Sequence, residues 1–246
     1  AEPVQAATCT VTSALDDGSI AGTLRMLLAD AGCDTVNFDS DYTIYLASTL
    51  TLDRSVTIDG AGRTVVISGD SNNDGTADVQ PFHVDAGVTA AIQNLTVTKG
   101  QSAGNGGGIY NAGTLTVTGV TLLANRAADY CYGGAIFNDV GASLTVMNSS
   151  ILNNNAYYGV GIYNDDNATL AVTNSTFSGN IAMTGGAVGR VAVSRNSRYA
   201  EGDWVLHQLG WREWALSDGA TLRRLDASLA PVSTARNCPI SFLRTR

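Results

Sequence analysis

One line of sequence recurs along this chain. GGGIYNAGTLTVTGVTLLANRA runs from Gly106 to Ala127, and close variants follow: GGAIFNDVGASLTVMNSSILNNNA from Gly133 and GVGIYNDDNATLAVTNSTFSGNIA from Gly159. The leading isoleucines, Ile109, Ile136 and Ile162, lie 27 and 26 residues apart, and Val188 of a GGAV stretch stands a further 26 on. A regular period of this length marks a solenoid: one unit cannot bury its own apolar face, whereas stacked units can. Within each unit the apolar residues alternate, at Leu115 and Val117, then Leu144 and Val146, then Leu170 and Val172. A second apolar set follows after a short step, at Val120 and Leu122, at Ile151 and at Phe177. Alternation with period two is the pattern of a half-buried strand. A helical solenoid would need helical periodicity and few glycines, and a leucine-rich repeat would need its Leu-x-Leu framework; neither is written here. The expectation is an all-β fold, a parallel β-helix with coils of about 26 residues. Each coil would hold about three short strands, stacked at the ~4.8 Å strand spacing.

Two asparagines recur at set places in each coil: Asn111, Asn138 and Asn164 in one row, Asn125, Asn154 and Asn180 in the other. Asparagine tolerates the left-handed backbone of tight turns, and stacked amides can bond one another in a ladder, so both rows read as structural. Weaker coils extend upstream. FHVDAGVTAAIQNLTVTKG places Phe82, Val84, Ala90, Ile92, Leu95 and Val97 in equivalent slots, and residues 42–69 supply further strands. Before them, Leu24, Leu27, Leu28 and Ala31 stand at helical spacing. A short amphipathic helix there would cover the open end of a solenoid, where strand edges and core need a cap. The expected division is an N-terminal cap over 1–40, a β-helix over 41–188 and a non-repeat tail over 189–246.

Composition narrows the partners. A net charge of −8 leaves no basic footprint for nucleic acid or an anionic membrane. No apolar run reaches the roughly 18 residues of a membrane span. The chain opens on the small, polar AEPVQAA, as a mature end left by signal removal or a cloning boundary would. Cys9 and Cys33 bracket one short segment and would either pair in an oxidising compartment or stay as free buried thiols. Cys131 and Cys238 lie in unlike contexts that do not suggest a pair.

GGAI at 133–136 and FSGN at 177–180 resemble the paired GGAI and FxxN repeats of the polymorphic outer-membrane proteins. TVTSALDDGSIAGTLRMLLADAGCDTVNFD, followed by LTLDRSVTIDGAG, is similar to the opening of large bacterial surface proteins with parallel β-helix domains. The resemblance covers about residues 8–188. It implies a right-handed β-helix, export, and a secreted or bacterial cell-surface location. It does not imply one activity, because the same fold carries adhesins, lyases and hydrolases.

DSNNDGTADV begins at Asp70. Asp70, Asn72, Asp74, the Thr76 carbonyl and Asp78 fall at positions 1, 3, 5, 7 and 9 of an EF-hand-like spacing, with Gly75 at the sharp turn. Position 12, where a bidentate acid belongs, is Pro81. The expectation is a structural Ca²⁺ site completed by a ligand from elsewhere, with a solvated acidic turn as the plain alternative.

Near residue 186 the text changes. Trp204, Trp211 and Trp214 appear where there were no tryptophans, and nine of the 14 basic residues fall in 190–246. Arg195, EGDWV at 201–205 and GWREWALSDG at 210–219 resemble a fragment of the medium-chain NADP-dependent reductases of quinone and alkenal reductase type, over about 189–235. The dinucleotide domain that should follow is missing and no GxGxxG opens a helix after a strand. The resemblance therefore implies neither reductase chemistry nor a bound NADP. Two families cut short in one chain suggest a chimeric C-terminus, within which GDWVLHQL alternates as a strand would.

No catalytic motif stands out. His83, between Phe82 and Val84, points outward from its strand. A β-helix lyase would need acids, Ca²⁺ and a Lys or Arg base. Lys99 and Arg126 each follow a third strand of successive coils, which would bring them near each other, and Asp129, Asp139, Asp165 and Asp166 occupy loops of neighbouring coils. Paired carboxylates there would suit acid–base cleavage of a glycan, although solvated loop acids are the commoner explanation. The sequence reads first as a secreted or surface-exposed adhesion or structural module that meets a glycan, a host surface or a neighbouring cell through an extended face. It reads second as a polysaccharide lyase or glycoside hydrolase with a shallow cleft along the coils.

Overall fold

The structure, a computed structural model, describes residues 7–182 apart from Asp129, together with the backbone of five strands between 187 and 245. The chain divides into two compact units, Ala1–Asn180 and Ile181–Arg246.

The first unit is a parallel β-solenoid of roughly seven turns, as its longest sheet records. Each full coil visits three sheets in turn. Sheet A stacks Leu50–Leu52, Phe82–Val84, Ile109–Asn111, Ile136–Asn138 and Ile162–Asn164. Sheet B stacks Thr8–Val11, Thr35–Phe38, Val56–Asp59, Thr89–Gln93, Thr114–Thr118, Ser143–Met147 and Thr169–Thr173. Sheet C stacks Tyr42–Tyr45, Val65–Ser68, Thr96–Thr98, Thr121–Leu123, Ser150–Leu152 and Thr176–Ser178. Later coils add a two-residue rung, at Gln101–Ser102, Arg126–Ala127 and Asn155–Ala156.

The register is the one the repeat dictates. Ile109 faces Ile136, which faces Ile162. Leu115, Leu144 and Leu170 form a second column, and Leu122, Ile151 and Phe177 a third. Phe82, Ala90, Ile92 and Val97 enter these columns from upstream. The columns make one continuous core from Val11 to Ile151. Slipping any rung by one residue would turn its aliphatic side chains to solvent, so burial itself enforces the register.

The asparagine rows form ladders. Asn111 Nδ2 donates to Asn138 Oδ1 and Asn138 Nδ2 to Asn164 Oδ1, both at 2.7 Å. Asn125 Nδ2 donates to Asn154 Oδ1 at 3.0 Å and Asn154 Nδ2 to Asn180 Oδ1 at 2.9 Å. Asn111, Asn125, Asn138 and Asn154 are buried, so each amide answers donors and acceptors that no water reaches. The left-handed backbone falls to other asparagines: Asn94, Asn148 and Asn174, at the corner between sheets B and C, have φ of 53°, 49° and 49°. Ladder and turn are thus separate duties of different residues.

The glycines that open each repeat have a steric reason. Gly106, Gly133 and Gly159 have φ of 72°, 72° and 55°. A Cβ on Gly133 would lie 2.7 Å from the Phe137 nitrogen, and one on Gly159 2.6 Å from the Tyr163 Cβ. Each glycine lets its loop lie directly on the strand it leads into.

A helix spans Leu24–Ala29, ending before Ala31; Thr23 caps it, with Oγ1 accepting from the Met26 amide, and Leu24 and Leu28 are buried. It packs against Thr8–Val11 and Thr35–Phe38. Cys9 and Cys33 form a disulfide that joins the first rung of sheet B to the segment after the helix. Arg25 binds Asp16 through both carboxylate oxygens and also donates to the Ser48 and Thr49 carbonyls.

The second unit holds a five-stranded sheet in the order Trp214–Ser217, Ser241–Thr245, Ala187–Val193, Trp204–His207, Arg223–Arg224. Ala187–Val193 runs parallel to Ser241–Thr245 and antiparallel to Trp204–His207. Val188, which the period makes the next rung after Ile162, instead faces Leu206 in this sheet. The period survives in the sequence for one motif beyond the last stacked coil. Cys238, Arg195 and Trp211 lie outside the described residues.

Candidate functional site

The residue that follows each column leader on sheet A points outward, and in four successive rungs it is aromatic: His83, Tyr110, Phe137 and Tyr163. His83 and Tyr110 stack with centroids 4.7 Å apart and planes 3° apart; Phe137 and Tyr163 stack at 5.5 Å and 4°; Tyr110 and Phe137 meet at 5.2 Å, tilted. The rings cover one another's faces along the stack. His83 is therefore a rung of a ladder, and its Nε2 lies 3.4 Å from Asp85 Oδ1.

Beside this ladder, the loops that lead back to sheet A gather tyrosines from two successive coils. Tyr130 and Tyr157 meet at 5.1 Å, Tyr132 and Tyr158 stack at 5.5 Å, Tyr132 and Tyr163 meet at 4.6 Å, and Tyr157 and Tyr158 are edge to face at 4.6 Å. Tyr130 is 74% and Tyr158 41% exposed, while Phe137 beneath is only 2% exposed. This tyrosine corner was not read from the sequence. Its signal was present: tyrosines stand just before the glycine motif in two consecutive repeats, and an aromatic follows the column leader in four.

Acidic residues line the far end of the same strands. The Asp139 amide donates to the Asn111 carbonyl and the Asp165 amide to the Asn138 carbonyl, so Asp139 and Asp165 occupy one place on successive coils, as their spacing suggested. Asp85 holds that place further upstream, with Ala112 between. Asp166 stands one step on, and its amide donates to Asp165 Oδ1 at 2.8 Å. Asp139 Oδ2 accepts from the Tyr110 hydroxyl at 2.6 Å. Burial, that hydrogen bond and the charges of Asp139 and Asp165 push the Tyr110 phenol up to about 12. One oxygen of the proposed acid–base pair is thus already engaged by the aromatic ladder. Asp129 lies outside the described residues.

The two basic candidates take different positions in the coil. Thr98 faces Leu123, which sets Lys99 over Ala124, whereas Arg126 faces Gln101. Lys99 and Arg126 sit two positions apart in the coil, because Lys99 forms the corner, with φ of 49°, and Arg126 follows it.

Lys99 belongs instead to the Asp70 loop, an excursion between Val65–Ser68 and Phe82–Val84. Its Nζ lies 2.8 Å from Asp70 Oδ2, and the Asp70 side chain is buried. Asp70 also accepts the amides of Asp74 and Gly75, each at 3.0 Å. The Lys99 ammonium, together with these amides, holds the Asp70 carboxyl below its ordinary range, and Asp70 in turn raises Lys99. Asn72 Oδ1 accepts from the Asp74 amide, Asp74 Oδ1 from the Thr76 amide, and Asp78 Oδ2 from the Ser71 amide and hydroxyl. The residues set out as calcium ligands are folded as a self-bonded turn in which Lys99 pairs with Asp70. Among the described residues, no three His, Cys, Asp or Glu side chains converge as metal ligands would.

Comparison with known proteins adds one finding. A family described as the N-terminal domain of oxidoreductase matches residues 148–225, less than half of the chain. The match fits the reductase-like fragment read in the tail, and it begins earlier, inside the solenoid. There, Ser150–Leu152 and Thr176–Ser178 are ordinary rungs of sheet C, and Thr169–Thr173 of sheet B. No characterised protein and no solved structure matches the chain. Among the described residues, no helix is long and apolar enough to cross a membrane.

Proposed function

We propose that this protein is an exported adhesion or structural module that binds its partner along the tyrosine corner of the solenoid. The observation that carries this reading is the gathering of Tyr130, Tyr132, Tyr157, Tyr158 and Tyr163 from two coils, with Tyr130 and Tyr158 open to solvent. Tyrosine offers large, rigid contact area with few torsions to freeze, and its hydroxyl serves a polar partner. The nearby acids Asp139, Asp165 and Asp166 favour a partner rich in hydroxyl and amine donors. A neutral or amine-bearing glycan on a host or neighbouring surface has that chemistry; a sulfated one does not. The Cys9–Cys33 disulfide supports an oxidising location, as does the resemblance to bacterial surface proteins with GGAI and FxxN repeats. The tail's likeness to a reductase brings no NADP into this reading.

The test is binding of the full chain to a panel of immobilised neutral, amine-bearing and sulfated polysaccharides. Tyr130→Ala with Tyr158→Ala should abolish binding without changing the unfolding midpoint. Undiminished binding by that variant, or none by the parent, would remove the reading. A glycan-cleaving enzyme is the second reading, favoured by Asp139 and Asp165 at one place on successive coils. It requires turnover, seen as unsaturated product or new reducing ends, that Asp165→Asn abolishes.

A further inference from the structure

Four Asn-x-Ser/Thr triplets stand in the sequence, at Asn94, Asn148, Asn167 and Asn174, and none has proline in the middle. Such a triplet on the surface of an exported chain is the acceptor for N-linked glycosylation. All four fall on exposed asparagines with left-handed backbone, at φ of 53°, 49°, 58° and 49°. None falls on the ladder asparagines Asn111, Asn125, Asn138 and Asn154, whose buried amides a sugar would unseat. The asparagines that hold the stack and those open to modification are different sets.

Geometry separates Asn167 from the other three. Asn94 Nδ2 already donates to Asp59 Oδ1 at 2.8 Å. Asn148 and Asn174 are wedged at the corner between sheets B and C, one residue short of the rungs that begin at Ser150 and Thr176. Asn167 lies on the turn between Ile162–Asn164 and Thr169–Thr173, and among the described residues its side chain meets no hydrogen-bond partner. The Ala168 amide closes this turn on the Asp165 carbonyl, as the Val88 amide does on Asp85 and the Ala142 amide on Asp139 in two earlier coils. Asn167 therefore takes the place of Gly87 and Gly141. Those glycines have φ of 81° and 74°, and a Cβ on either would meet nothing within 4 Å. The open space belongs to the turn itself, since coils inside the stack have it too. Asn167 alone of the four has a carboxylate two residues ahead, that of Asp165; the others have Ile92, Val146 and Val172 there.

We propose that Asn167 is an N-glycosylation site whose donor is an oligosaccharide carried on a lipid diphosphate. In the transfer, the Asn167 amide nitrogen bonds to the anomeric carbon of the first sugar. The bond from that carbon to the diphosphate oxygen breaks, the lipid diphosphate leaves, and the amide proton passes to a base of the transferase. Thr169 completes the triplet, and the Asp165 carboxylate gives a basic transferase site a charge to grip beside the acceptor. A sugar leaving the tip of this turn touches neither asparagine ladder. The inference goes beyond partner binding and rests only on the export in that reading, because acceptor triplets of this kind are used in exported chains.

The test is peptide mass spectrometry of the full chain, exported from cells that carry an asparagine oligosaccharyltransferase and that glycosylate a control acceptor. A sugar-bearing peptide containing Asn167 is expected, with Asn94, Asn148 and Asn174 bare. Asn167→Gly, which restores the residue of the earlier coils, should remove the sugar and keep the chain folded. Thr169→Ala should also remove it, Thr169→Ser should keep it, and Asp165→Ala should lower its occupancy severalfold. A bare Asn167 in the exported chain overturns the inference, as does a sugar that persists in Asn167→Gly or Thr169→Ala. The Tyr130→Ala, Tyr158→Ala chain should be glycosylated like the parent, so failure of this site and failure of the binding surface are read separately.

Discussion

The coil led by Ile136 and the coil led by Ile162 are nearly the same text, yet one has a core and the other has a surface. Leu144 and Leu170 face each other across one rung, at 1% and 39% exposure. In a solenoid an aliphatic residue is buried by the coils above and below, not by its own coil. Its worth is therefore a property of position in the stack, and two identical motifs can differ by most of a side chain's burial energy.

The sharpest test is a matched pair of truncations. Ile151→Ala should cost about 2–5 kcal/mol, as a cavity in a packed column does, and Phe177→Ala less than about 1. Urea unfolding midpoints check both, and equal losses would break the comparison. Next come the ladders. Asn138→Ala leaves its buried neighbours without a partner and should cost about 1–3 kcal/mol, while Asn164→Ala, at the half-buried end, should cost clearly less. A smaller effect attaches to the turn at Asp70. Its lowered carboxyl contributes stability that is complete above the ordinary Asp value of about 3.9 and is lost as pH falls through the folded value. Lys99, raised by the same pair, contributes stability complete below about 10.4 and lost as pH rises through its folded value. Lys99→Met should lower stability across the plateau between and flatten both limbs; an unchanged pH profile would show the pair to be idle. Smallest of all, Ca²⁺ at millimolar concentration should leave the thermal midpoint of the parent unmoved, because Lys99 already holds Asp70. A rise of several degrees would mean that the ion displaces the lysine.

Much of this molecule was legible because its repeat converts sequence distance into spatial contact. Ile109, Ile136 and Ile162 could be stacked on paper, and with them the asparagine ladders and the succession Asp139 to Asp165. The places that resisted are those where one residue departs from the period. Lys99 sits at a corner, so counting along the chain set it beside Arg126 when the register sets it over Ala124. Thr98 faces Ser68, so the stacking sets Lys99 over Gly69 and beside Asp70, but the next coil has Ala124 in place of a lysine and no recurrence announced the pair. Val188 kept the spacing of a rung and folded into another sheet, because a motif of four residues does not outweigh the strands offered to it by its neighbours.

By itself, the sequence determined the parallel solenoid, its coil length and which aliphatic and asparagine residues share a column, because alternation and period leave one way to bury the apolar face. Only the tertiary structure decided where the stack stops, which acids are already bonded, and that tyrosines from separate coils become one surface. Those depend on which chain segment lies on which, and a pairwise contact outside the period leaves no mark in a line of text.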